Sequence, residues 1–197
     1  LGQKIANLHD RIQGDVGNVD RIGIALYNPA SDQLSTFLHS ADGQSPLERY
    51  QVRLADVPSL QELHRTQSSR TIDDLAILSA SKSEHTRRIL DAGYRSSYTC
   101  PLYARGQLLG FLFLDSTRTG HFRNELRIQL AAYAQLIAAQ VSQALSPARA
   151  LRSAVAMTRE LGRHRDEETA GHVNRVAHYT RSIAIALDPG TGLSDED

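Results

Sequence analysis

YARGQLLGFLFLDS, residues 103 to 116, decides the fold. Arg105-Gly106 is a two-residue signal for a compact turn between antiparallel strands. After it, Leu108 to Leu114 place apolar side chains on both alternating faces, which describes a central strand covered on both sides. Working backwards, Arg95 to Ala104 supplies its hairpin partner. Working forwards, a long helix is expected from about His121 to Leu145. That helix carries two apolar stripes, Leu126, Leu130, Tyr133, Ile137 and Val141 in one, and Ile128, Ala132, Leu136 and Ala139 beside it. One stripe should cover the sheet, leaving the other to the first helix, to a second subunit, or to both.

Further upstream, Ile5, Leu8 and Ile12 recur at helical spacing over residues 1 to 13. Arg21 to Asn28 alternates as a strand, Asn28 to Asp32 reads as a turn, and Gln33 to Ser40 completes a hairpin. Tyr50 to Ala55 fits a short strand, and Pro58 suits the first turn of a helix running to about Gln67. A short strand is expected at Arg70 to Ile72, and a helix capped by Ser81 from Lys82 to Ala92. The order predicts an α+β domain, a central antiparallel sheet of five or six strands flanked by N- and C-terminal helices, followed by further all-α elements.

Composition narrows the function classes. A chain of 197 residues, 41% hydrophobic, can close a core without disulfides or a structural metal. Its one cysteine, Cys100, cannot build a disulfide framework and points to a reducing compartment. Basic and acidic residues both number 22, which removes the electrostatic case for binding a nucleic-acid polymer or an anionic membrane. The chain shows neither a membrane-spanning run nor a secretory pattern, so a cytoplasmic protein is expected. It starts on Leu1 and stops on Asp195, Glu196 and Asp197, as a piece cut from a longer protein would.

With those elements in place, residues 1–145 resemble a GAF domain, the small sensory module of bacterial signalling proteins. The resemblance rests on element order and on residues 103 to 116. It implies a ligand pocket on the sheet face away from the terminal helices, where the strand aromatics Tyr27, Phe37, Tyr103, Phe111 and Phe113 are the candidates for its wall. Ordinary core packing is the simpler account of each. The cyclic-nucleotide binders of the family carry an Asn-Lys-Phe-Asp-Glu constellation that has no counterpart here. A bilin needs a reactive cysteine in a particular setting, whereas Cys100 sits in a strand before Pro101 and reads as a small buried thiol. Haem needs an axial histidine, for which His39 is the candidate. The resemblance thus implies a small-molecule sensor or a dimerisation module, a homodimer through its terminal helices, with the effector unidentified.

The C-terminal segment carries different chemistry. Ser146-Pro147 is expected to break the long helix and begin a helical linker over 146–162. Asp166 can then cap a helix running to about Leu187. On it Glu168 and His172, four residues apart, stand one above the other, and Val176, Tyr179 and Ile183 continue their stripe inward. Such a pair can be a plain surface contact or can hold metal. Arg165 to Leu187 closely resembles the opening of HD-GYP domains, metal-dependent phosphodiesterases of cyclic di-GMP, through Arg165, Asp166, Glu168, Thr169, His172, Arg175, Val176 and Tyr179. That resemblance implies that residues 163–197 begin such a domain. It gives His172 the role of ligand to a binuclear iron or manganese centre, and Glu168 that of a ligand where a third metal is held. Arg175 takes either a phosphate-binding or a structural role. The His-Asp dyad and later ligands of that family do not occur in the chain, so it is expected to be inactive by itself. A ligand-free dimerisation module, and an HD-type phosphohydrolase of another nucleotide, are the alternatives.

Overall fold

The computed structural model describes residues 2–41, 51–78, 84–165 and 167–187; the side chains at 38–41, 84, 85, 124, 161–170, 173 and 184–187 lie outside the description. The chain divides into two units, Leu1–Ser142 and Gln143–Asp197.

The first unit is built on six strands, β1 (Arg21–Asn28), β2 (Gln33–Ala41), β3 (Gln51–Arg53), β4 (Arg70–Ile72), β5 (Ser96–Ala104) and β6 (Gln107–Ser116). Their order across the sheet is β3-β2-β1-β6-β5-β4, and every neighbouring pair is antiparallel. The two centre strands are thus β1 and β6, in keeping with the double-sided apolar text of residues 108 to 114: Leu109, Phe111, Leu112 and Leu114 are all buried. Arg105 (φ 50°) and Gly106 (φ 77°) both adopt left-handed backbone, the condition of the turn that matches strand twist. A bulge then makes Leu109 an extra residue opposite β5 and sets Gly110 at φ 152°. A Cβ at Gly110 would lie 1.9 Å from the Ala25 carbonyl oxygen, so only glycine lets β6 close onto β1.

Helix α1 (Gly2–Asp15) buries Ile5, His9 and Ile12. The His9 Nε2–H donates to the Val19 carbonyl over 2.5 Å, tying the helix to the entry of β1. Helix α2 (Pro58–Thr66) starts on Pro58 and ends with Gln67 in the left-handed region, its N–H returned to the last turn. Helix α3 (Glu84–Asp91) is the end of the expected 82–92 helix, and its cap Ser81 lies outside the described residues.

Helix α4 (Asn124–Arg165) corrects the expected break at Ser146-Pro147, since Pro147 lies inside it. Pro147 removes one backbone hydrogen bond, to the carbonyl of Gln143, but residues 143 and 146 to 150 are exposed, so water can satisfy that carbonyl. Ala144, Leu145, Ala148, Ala150 and Leu151 are strong helix formers that carry the helix across. Of the two stripes, Leu130, Ile137 and Val141 are buried with Leu126 and Tyr133 partly so, whereas Ile128, Ala132, Leu136 and Ala139 are exposed. In the second unit α4 is followed by α5 (Glu167–Leu187), joined to it by a hydrogen bond from Arg159 to Asn174. None of the described helices is long and apolar enough to cross a membrane.

Candidate functional site

Register assigns the side chains of the sheet to two faces. Ile22, Ile24, Leu112, Leu114 and Tyr98 share one. The rings of Tyr98 and Phe122, 6.3 Å apart, bring the entry of α4 to it. Arg21, Gly23, Ala25 and Tyr27 of β1 share the other with Phe111, Phe113 and Asp115 of β6 and with Ser97 and Thr99 of β5. Over that second face lies α2, whose Leu60 and Leu63 pack with Leu34, Leu54 and Phe111, and against these sit Tyr27, Val52, Val57, Leu108 and Phe113. The face opposite the terminal helices therefore gathers Tyr27, Phe111 and Phe113 in one aromatic cluster.

The candidates occupy different depths within it. Phe111 is wholly buried, while Tyr27 and Phe113 are half-buried. The Tyr27 hydroxyl donates to Asp32 over 3.0 Å, and burial first, then that carboxylate, raises its pKa. Tyr103 turns to α2: its hydroxyl lies 2.8 Å from His64 Nδ1 and donates to the His64 carbonyl over 3.0 Å, with the two rings stacked. Burial raises the Tyr103 pKa. Phe37 is the extra residue where β2 slips past β1, and is 38% exposed. The backbone of His39 pairs with Gly23, but its side chain lies outside the described residues.

Cys100 pairs with Leu112, on the face turned from the aromatic cluster, and is half-buried where a fully buried thiol is expected. Burial pushes its thiol pKa up, which leaves less of the reactive thiolate.

The floor of the α2 face is polar. Arg21 and Asp115 form an ion pair across the central strands, each 2% exposed, and the Arg21 guanidinium lies over Gly23. Thr99, 2% exposed, and Ser97, 7% exposed, adjoin it on β5. Arg70 of edge strand β4 pairs with Thr99 and so shares this face. Its guanidinium makes no hydrogen bond or ion pair among the described residues, its Nε is shut off from solvent, and burial lowers its pKa. Arg21, Arg70, Asp115 and His64 were not among the residues singled out from the sequence. Arg21 and Asp115 flank apolar strands where a charge reads as a strand end, and only the β1–β6 pairing reveals them as partners.

In the second unit His172 is exposed, and the Arg175 guanidinium folds back against Gly171. The Glu168 side chain lies outside the described residues. Val176, Tyr179 and Ile183 are 46%, 64% and 57% exposed, which corrects the expectation of an inward stripe. Among the described residues no three His, Cys, Asp or Glu side chains gather as a metal would require.

A six-stranded antiparallel sheet with terminal helices on one face and a capped, part-polar cavity wall on the other defines a small-molecule sensing and signalling module. The GAF domain model matches residues 10–145, and the chain belongs to the GAF family. No curated protein matches the chain. Among solved structures, it is similar to the GAF domain of a two-component sensor histidine kinase from Bacillus halodurans, 14% identical over 73% of this chain and 95% of that one, TM-score 0.61. It is also similar to the chromophore-binding domain of the bacteriophytochrome RpBphP3 from R. palustris, 16% identical over 72% of this chain and 54% of that one, TM-score 0.54. A third is the type II free methionine-R-sulfoxide reductase from Thermoplasma acidophilum, 15% identical over 72% and 91%, TM-score 0.54. At such identities the likeness is one of fold.

Proposed function

We propose that this GAF domain senses a small molecule on its α2 face and works as a homodimer in the cytoplasm, passing occupancy along α4 to a metal-dependent phosphodiesterase of cyclic di-GMP. The observation that carries the reading is α4 itself, which buries Leu130, Ile137 and Val141 in the sensory core and continues as one helix to Arg165. A helix anchored in this way moves as a unit, so a change in how the sheet packs on its first half is delivered to whatever follows its second half.

The catalytic part rests on the likeness of residues 165 to 187 to the start of HD-GYP domains. In that reading His172 and Glu168 serve an iron or manganese centre, binuclear or trinuclear, and Arg175 either steadies phosphate or braces α5. The described residues do not by themselves fit a metal, so no catalytic step is derived through one.

The test is to load the complete gene product with iron or manganese and assay cyclic di-GMP hydrolysis, with His172→Ala alongside. Hydrolysis lost in the variant supports the reading. A folded, metal-loaded protein that leaves the dinucleotide intact overturns it, and turnover of a different nucleotide moves it to another HD-type phosphohydrolase.

A further inference from the structure

The row Arg70, Thr99, Phe113, Gly23 runs straight across four strands of the α2 face. At one end Arg70 has no carboxylate partner among the described residues, and its Nε is closed to solvent with no acceptor. At the other end the Arg21 head lies over Gly23, which has no Cβ to displace it. That head uses one nitrogen on Asp115, and its Nε too is buried without an acceptor. Two guanidiniums therefore share this face with one carboxylate, Asp115. A buried cation that lacks a counter-ion costs free energy, which a fold tolerates where something else supplies the charge. Between the two ends lie three strand spacings of about 4.8 Å. Arginine side chains entering from both sides leave room there for a small organic molecule over Thr99 and Phe113.

We propose that the effector of this face is a small organic anion, its carboxylate or phosphoryl oxygens held by Arg70 with the Arg21 Nε–H as a second donor, and its apolar body resting on Phe113. Guanidinium suits both oxyanions because its planar fork presents paired N–H groups to two oxygens at once. The inference rests on the small-molecule reading above and adds the chemical class. Asp115 remains on Arg21, so Arg70 supplies the uncompensated positive charge.

The full chain is titrated with benzoate, phenyl phosphate and the uncharged isostere benzamide at constant chloride, following the Arg Nε–H resonances by NMR and binding by calorimetry. Saturable binding of either anion that moves the Arg70 and Arg21 Nε–H signals is expected, the tighter of the two naming the oxyanion. Arg70→Met should weaken it at least tenfold while leaving the ligand-free protein as stable or more so, because a buried unpaired charge is removed. Benzamide binding as tightly as benzoate overturns the anion inference and leaves small-molecule sensing standing. Failure of all three probes, with both Nε–H signals unmoved, overturns both. Because the resonances are read on the unaltered chain, the outcome holds even where the variant does not fold.

Discussion

Arg21 and Asp115 stand directly opposite one another in the β1–β6 pairing and form an ion pair from which water is nearly excluded. Burial of this kind makes the pair costly to break and inexpensive to replace. Removing one partner strands a buried charge and typically costs about 3–5 kcal/mol, whereas replacing both with apolar groups of similar volume is often neutral. Asp115→Ala should therefore lower stability by about that amount in urea unfolding. The double change Arg21→Met with Asp115→Leu should recover most of the loss. An Asp115→Ala protein within about 1 kcal/mol of the original contradicts this account.

Gly110 makes a sharper claim, because two independent obstacles meet at it. Its φ of 152° is backbone that L side chains rarely adopt, and its missing Cβ is the space the Ala25 carbonyl occupies. Gly110→Ala is expected to destabilise the domain by at least about 3 kcal/mol, with loss of β1–β6 amide protection in hydrogen exchange. Gly14, where a Cβ would meet nothing within 4 Å, serves as the control and should tolerate alanine.

Alkaline pH probes the terminal-helix face. Burial pushes the Tyr98 hydroxyl up to about 12, beyond the ordinary 10 of an unfolded tyrosine. The folded state therefore holds this proton more tightly. Its contribution is fully present below pH 10 and is lost as pH rises through 12, by about 1.4 kcal/mol per pH unit in between. Denaturation midpoints at pH 9.5 and 11.5 should fall apart in the native sequence and draw closer in Tyr98→Phe. An equal fall in both would assign the alkaline loss to other groups.

The parts legible in the sequence were those fixed by local pattern. Residues 103 to 116 expose the hairpin turn and the central strand because the φ > 0 positions and the double-sided apolar run are both local properties. The two stripes of α4 are legible for the same reason, as helical spacing separates them before any partner is known. Arg21, Asp115 and Arg70 were not legible, because strands 94 residues apart in sequence bring the first two together and the register of β4 brings the third. Pro147 misleads for a different reason: a proline forbids one hydrogen bond, and only exposure determines whether water can replace it.

Pro147 can be tested through that same bond. With alanine in its place, the Gln143 carbonyl regains a helical donor, and interior proline costs a helix about 3 kcal/mol. Pro147→Ala should slow amide exchange over residues 143 to 151 and raise helicity at 222 nm without altering the sheet. Unchanged exchange there would mean that the residues around Pro147 are held by contacts stronger than the helix itself.

The open stripe of α4 bears on how the module works. Ile128 and Leu136 are 81% and 53% exposed, beside Ala132 and Ala139, small enough to let a second helix approach closely. Two apolar side chains at helical spacing with small residues between them suit a self-complementary packing of α4 on its symmetry mate. Because both side chains are outside the core, Ile128→Glu with Leu136→Glu should leave far-UV circular dichroism and unfolding stability nearly unchanged, within about 0.5 kcal/mol per site. Sedimentation should nevertheless pass from dimer to monomer, since four like charges would meet at the symmetric contact. A native sequence already monomeric at NMR concentrations would remove the homodimer from the proposal. Sensing would then have to reach the second unit through α4 within one chain.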